Sequence, residues 1–158
     1  MATLKEQLQK ARNLTSQQIS EELFNFIKTI QEKFIELNKK QLFESSEDIF
    51  QNPIGYYSKA TEYITTNNAL LGGQGEIKKE GDPYNLRDTG SFLKGLYIDV
   101  KNGAIYFGSH DNKTDLILSN ENLLSTSLFG LQEENLRELI NSDLLPFILK
   151  HVRQQLNV

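Results

Sequence analysis

Asp82-Pro83-Tyr84-Asn85-Leu86-Arg87-Asp88-Thr89-Gly90-Ser91-Phe92-Leu93-Lys94-Gly95-Leu96-Tyr97-Ile98-Asp99-Val100 holds a rigid start, a tight turn, one apolar helical turn and an alternating strand. Pro83 fixes φ at the start. Asp88 and Thr89 are residue types that cap backbone N–H groups, and Gly90 permits a conformation that side chains resist. Leu96, Ile98 and Val100 alternate with Tyr97 and Asp99, so the first three face a core. Lys101-Asn102-Gly103 then predicts a hairpin turn into a second strand over 104–107, because Asn-Gly is the strongest short hairpin signal. Nothing in the stretch is a nucleophile or a metal cage. It reads as scaffold.

Upstream, two capping boxes stand in succession. Thr3 with Glu6 opens a short arm helix ending near Asn13, with Leu4, Leu8 and Ala11 at helical spacing. Thr15 with Gln18 opens a second helix, with Leu14 and Ile19 as its staple. In that helix Ile19, Leu23, Phe26, Ile27, Ile30, Phe34 and Leu37 form one long apolar stripe. Phe24 and Ile35 widen it on one flank and fall nearly above one another after three turns. That flank is either a broad core face or a surface that meets a neighbouring subunit.

Residues 44–52 are acidic and turn-prone, closed by Pro53. The segment holding Tyr56, Tyr57, Tyr63 and Ile64 has no clear periodicity. Residues 70–83 contain Gly72, Gly73, Gly75 and Gly81 among polar residues, and a loop of that length is functional or mobile. Downstream of the hairpin, 113–125 predicts a short helix with Leu116, Ile117, Leu123 and Leu124 as apolar members. A final helix begins around Gln132, with Leu136, Leu139 and Ile140 on its inner face. Pro146 predicts a kink or a restart capped by Ser142 or Asp143. Leu145, Ile148, Leu149, Val152 and Leu156 are the buried positions beyond it.

The fold class is therefore α+β: a long N-terminal amphipathic helix, a small antiparallel sheet with a central hairpin, and a C-terminal helix. Residues 1–14 form an arm and 15–158 a single domain, since 158 residues suffice to bury one core. With 38% hydrophobic and 24% charged residues the chain is neither disordered nor membrane-embedded. The polar opening Thr3-Leu4-Lys5-Glu6 predicts no secretory leader and a soluble protein made in a cytoplasm. The absence of cysteine excludes disulfides, thiolate metal sites and a Cys nucleophile. Net charge is −4, with +2 over residues 1–42 and −6 over 43–158. Neither half carries the clustered basic surface of a nucleic-acid binder. An assembled ring would still gather Lys28, Lys33, Lys39 and Lys40 on one rim around DNA.

Catalytic signals are sparse. His110 lies in a turn beside Asp111 and Asp115, too loosely spaced to specify a metal. His151 suits the negative end of the last helix. The glycine loop lacks the Gly-Lys-Ser/Thr spacing of a phosphate cradle, and its Glu76 and Glu80 repel a nucleotide. Glu62 beside Tyr56, Tyr57 and Tyr63 is the best carboxylate candidate for hydrolysis. No cofactor and no metal are predicted. Tyr84 and Arg87 beside Asp88 are either interface anchors or a locally satisfied turn.

The order of elements resembles the small neck and tail-completion proteins of tailed bacteriophages, which carry Thr-Gly, apolar residues and a strand where this chain has Thr89, Gly90, Phe92, Leu93 and Leu96 to Val100. Ile54-Gly55-Tyr56-Tyr57-Ser58-Lys59-Ala60-Thr61-Glu62 and Leu128-Phe129-Gly130-Leu131 are similar to phage and prophage proteins of the same layout. The resemblance implies a non-enzymatic connector in the virion neck, made in the host bacterial cytoplasm. It would form a ring of identical copies between portal and tail-tube proteins, without membrane contact. Phe24, Ile35, Tyr56, Tyr57, Tyr84, Arg87, Asp88, Thr89 and Gly90 are then the candidate interface residues. The glycine loop would order against a neighbour. Two other readings are a phage module acting on a host protein outside the particle, and a small carboxylate hydrolase.

Overall fold

The computed structural model describes residues 3–73, 75–87, 90–120 and 123–156. The fold is α+β, with helices at both ends and one antiparallel hairpin. Both predicted capping boxes form. Thr3 and Glu6 open α1 (Leu4–Asn13), and Thr15 and Gln18 open α2 (Ser16–Thr29).

The long stripe does not run in one helix. It breaks at Ile30, whose φ of −112° and ψ of 18° lie outside the helical well, and resumes as α3 (Gln31–Lys40). The cause is local. The Thr29 hydroxyl donates to the Phe26 carbonyl at 2.7 Å and so competes with the backbone ladder. The Ile30 N–H is then shared between the carbonyls of Phe26 and Ile27. A π turn (Gln41–Ser45) ends α3, and the chain reverses at Ser46, which adopts a left-handed conformation.

Helix α4 (Lys59–Leu70), capped by Ser58, occupies the segment whose type the sequence left open. One apolar turn, α5 (Ser91–Lys94), follows Gly90, whose φ of 80° is the left-handed conformation expected of it. Asp88 and Thr89 lie outside the described residues. Strands β1 (Leu96–Lys101) and β2 (Ala104–Ser109) pair antiparallel with Lys101 opposite Ala104. Asn102 and Gly103 both take positive φ, as a two-residue turn matching strand twist requires.

Helix α6 (Thr114–Leu118) is shorter than expected. Ile117 packs on the core while Leu116 and Leu124 are exposed. At the C-terminus α7 (Glu133–Leu139) runs through a π turn (Ile140–Leu144) into α8 (Leu145–Leu156). Pro146 thus causes neither a break nor a capped restart. The widened turn, in which the Leu145 N–H reaches back to the Ile140 carbonyl, accommodates it. Ser142 instead donates to Asp143, which pairs with Lys33. Of the expected inner positions Leu139 is buried and Ile148, Val152 and Leu156 are half-buried, but Leu136, Ile140, Leu145 and Leu149 are exposed, contrary to the pattern reading, and Leu144, not among them, is buried.

The core has two parts. Leu42, Ile54, Tyr84, Phe92, Leu93, Leu96 and Leu128 form one. Ile27, Phe34, Ile98, Leu139 and Leu144 form the other. Strand β1 feeds both, through Leu96 and Ile98, and Ile35 packs against both. Phe24 packs against the second. Phe26 of α2 stacks on Phe147 of α8 with ring centroids 4.0 Å apart. The flank of Phe24 and Ile35 is therefore half-buried against the chain's own core.

Candidate functional site

Four sequence-selected residues, Tyr56, Tyr57, Tyr84 and Arg87, gather where α4 meets the 76–87 segment. Tyr57 and Tyr84 rings lie 4.8 Å apart, and Tyr56 forms an isolated bridge with Pro83 while its side chain stays exposed. Asn85 is the hub. The Tyr57 hydroxyl donates to Asn85 Oδ1 at 2.8 Å, and Lys78 Nζ donates to the same oxygen at 3.0 Å. Glu76 accepts from Lys78, Asn85 and Arg87 at 3.0–3.1 Å. Lys78 and, beyond it, Asn85 and Arg87 hold the Glu76 carboxyl below the usual carboxylate range. Burial, together with the neighbouring Tyr57, pushes the Tyr84 phenol up.

Lys78, only 7% exposed, also sits 5.4 Å from the Tyr57 ring centroid. Arg87 lies over Phe43. Beside this cluster runs a groove of about 300 Å³, lined by Thr61, Tyr84, Leu86, Ile117 and Leu123 among others. Lys78 and Arg87, which also line it, are both paired with Glu76. Within the chain the arrangement is a locally hydrogen-bonded turn with an apolar flank.

The 70–83 segment is divided by its hydrogen bonds. Gly72, Gly73 and Gly75 are exposed. Beyond them, Lys78 N–H donates to Thr65 Oγ1, Glu80 N–H to Glu62, and Gly81 N–H to the Tyr57 carbonyl. Glu62, the hydrolysis candidate, thus accepts a backbone N–H at 2.8 Å and anchors the loop. His110 stacks on Tyr97 at 4.2 Å, and Asp111 Oδ1 accepts the Lys113 N–H. Among the described residues, no group of three or more His, Cys, Asp or Glu is placed to hold a metal ion, and no helix is long and apolar enough to cross a membrane. Of the four lysines expected on a ring rim, Lys33 pairs with Asp143 and Lys39 with Glu36, whereas Lys28 and Lys40 are exposed.

What the sequence did not single out is the apolar surface left uncovered. Helix α1 buries none of its residues, and Leu4 and Leu8 are 73% and 54% exposed. Phe50, 67% exposed, stands beside Leu131 and Leu136 in an open groove. The signal for α1 was present as Leu4, Leu8 and Ala11 at i, i+4, i+7, an apolar stripe too short to mark a core helix. Phe50, in an acidic turn, gave no periodic signal. Set against known proteins, the chain matches no family model, no curated protein and no solved structure.

Proposed function

We propose that this chain is a structural assembly protein that closes into a ring of its own copies, and that the ring is a connector at the neck or tail top of a tailed phage. The observation that carries the assembly reading is α1. A ten-residue helix is marginal in water without packing, yet α1 is opened by a complete capping box and buries no side chain on its own chain. A sequence that specifies a helix and leaves its leucines in solvent is complete only with a second surface. Exposed Leu136 on α7, Ile140 in the π turn, and Leu145 and Leu149 on α8 extend the uncovered apolar area. The phage context rests on the resemblance in element order and in the Thr89-Gly90, Phe92-Leu93 and strand sequence.

In this reading the mechanism is geometric. One contact repeated around an axis closes a ring when its rotation divides the circle, and otherwise grows a filament. Electron microscopy of the purified chain tests the reading. Closed rings are expected at concentrations where light scattering reports assembly, and isolated particles of single-chain mass would contradict it. Peptides of this chain are expected in purified phage particles by mass spectrometry. Their absence would move the reading to a phage protein acting outside the particle.

A further inference from the structure

We propose that α1 of one copy docks in the groove between the 49–51 turn and α7 of the next copy, so that the ring contact is head-to-tail. The proposal rests on the assembly reading and names its contact. It starts from a mismatch within one chain. Helix α1 lies against α8, but through the wrong face. Its half-buried side chains are Gln7 and Lys10, while Leu4 and Leu8 face solvent. Between α1, α2 and α8 remains an open cavity of about 550 Å³, lined chiefly by polar residues such as Asn13, Gln18, Glu21 and His151. A helix seated on its own body by polar groups has its apolar face available.

The groove offers the complement. It measures about 710 Å³ and is lined by Ile49, Phe50, Leu131 and Leu136, together with Glu133 and Glu134. An amphipathic helix fills such a groove with anchors at i, i+4 and i+7, the spacing of Leu4, Leu8 and Ala11. Charge agrees with shape. With Lys10 seated on the body, helix α1 exposes Lys5 and Arg12 against Glu6, whereas α7 carries Glu133, Glu134 and Glu138 against Arg137. Arg137 is held by Glu133, which leaves the exposed Glu134 and Glu138 to meet a basic helix. Arm and groove are different surfaces, so each copy gives one and receives one, a contact that makes a ring when its rotation closes.

The chain has no cysteine, so introduced thiols report one contact alone. Ala11→Cys and Gln51→Cys place a thiol on the arm and at the groove without removing a large apolar anchor. The two full-length variants are mixed in equal amounts, treated with a short bismaleimide, and sedimented in parallel. The expected result is a covalent dimer containing one copy of each variant, several-fold more abundant than any dimer from either variant alone. Assembly by sedimentation without that heterodimer overturns arm docking and leaves the ring reading standing. Absence of assembly overturns both. Dimers from Ala11→Cys alone would mean that arms pair with each other. Concentration-independent crosslinking within one chain bearing both changes would mean that each arm folds onto its own groove. Either result overturns the proposal.

Discussion

Asn38 is completely buried on α3 and holds two chain segments together. Its Nδ2 donates to the carbonyls of Leu128 and Gly130 at 3.0 and 2.7 Å, while its Oδ1 has no partner. One helical turn on, Gln41 accepts the Gln132 N–H at 2.9 Å, and Gln132 donates to Glu47 and to the Asp48 carbonyl. These groups pin the 128–132 segment to α3 and the π turn. Asn38→Ala would remove both donors and strand two carbonyls, at least one of them without another partner. Each such loss costs about 1–3 kcal/mol, so urea unfolding of Asn38→Ala is expected to show a loss of roughly 2–4 kcal/mol. Asp48 is the buried ionisable member. Its burial acts to raise its pKa, but hydrogen bonds from the Ser125 side chain and from the Asn52 and Phe50 N–H groups outweigh that and hold it below the ordinary value. A depressed carboxylate stabilises the fold above its unfolded pKa, ~4, and that stability is lost as pH falls through the folded value. Asp48→Asn is therefore expected to be less stable than the native chain at pH 7, with the gap in urea midpoints narrowing toward pH 3. A gap that is constant with pH would show that the charge contributes nothing.

At the scale of elements, legibility followed the locality of the signal. The hairpin was readable because Asn102-Gly103 dictates its own turn, and α1 and α2 because Thr3 with Glu6 and Thr15 with Gln18 satisfy their own N–H groups. Helix α4 was not readable. Its Lys-Ala-Thr-Glu-Tyr-Ile-Thr-Thr-Asn-Asn-Ala-Leu sequence is rich in weak helix formers, and its Ser58 cap lacks a glutamate partner. The Ile30 break depends on one threonine hydroxyl, and the two π turns lie after α3 and between α7 and α8. No periodicity announces either. Of the site, Tyr57, Tyr84 and Arg87 were named in the sequence but not as one cluster, and their hub, Asn85, and its buried partner Lys78 were not named, because both read as loop polarity. The two capping boxes separate structural integration from local helix content. Thr15→Ala is expected to cost about 1 kcal/mol of global stability, since α2 carries the buried Ile27 and stacks Phe26 on Phe147. Thr3→Ala frays α1, which buries nothing, and is expected to leave the unfolding midpoint of the dilute chain unchanged. An equal loss from both would mean that α1 is part of the folding unit.

The whole molecule is a two-part core wrapped by helices, with apolar side chains left outside along the chain, Leu4 and Leu8 on α1 and Leu145 and Leu149 on α8 among them. The charge is divided in the same sense, basic over the first 42 residues and acidic over the rest. Copies that meet head-to-tail bring unlike charges together, and salt weakens such contacts by screening them. Sedimentation velocity of the full chain over rising concentration tests self-assembly most directly. The native chain is expected to pass from single copies to one discrete larger species, less readily at high salt. A chain carrying both Leu4→Asp and Leu8→Asp is expected to stay single while unfolding at the same temperature. A native chain that sediments as one copy at every concentration and salt would contradict the account.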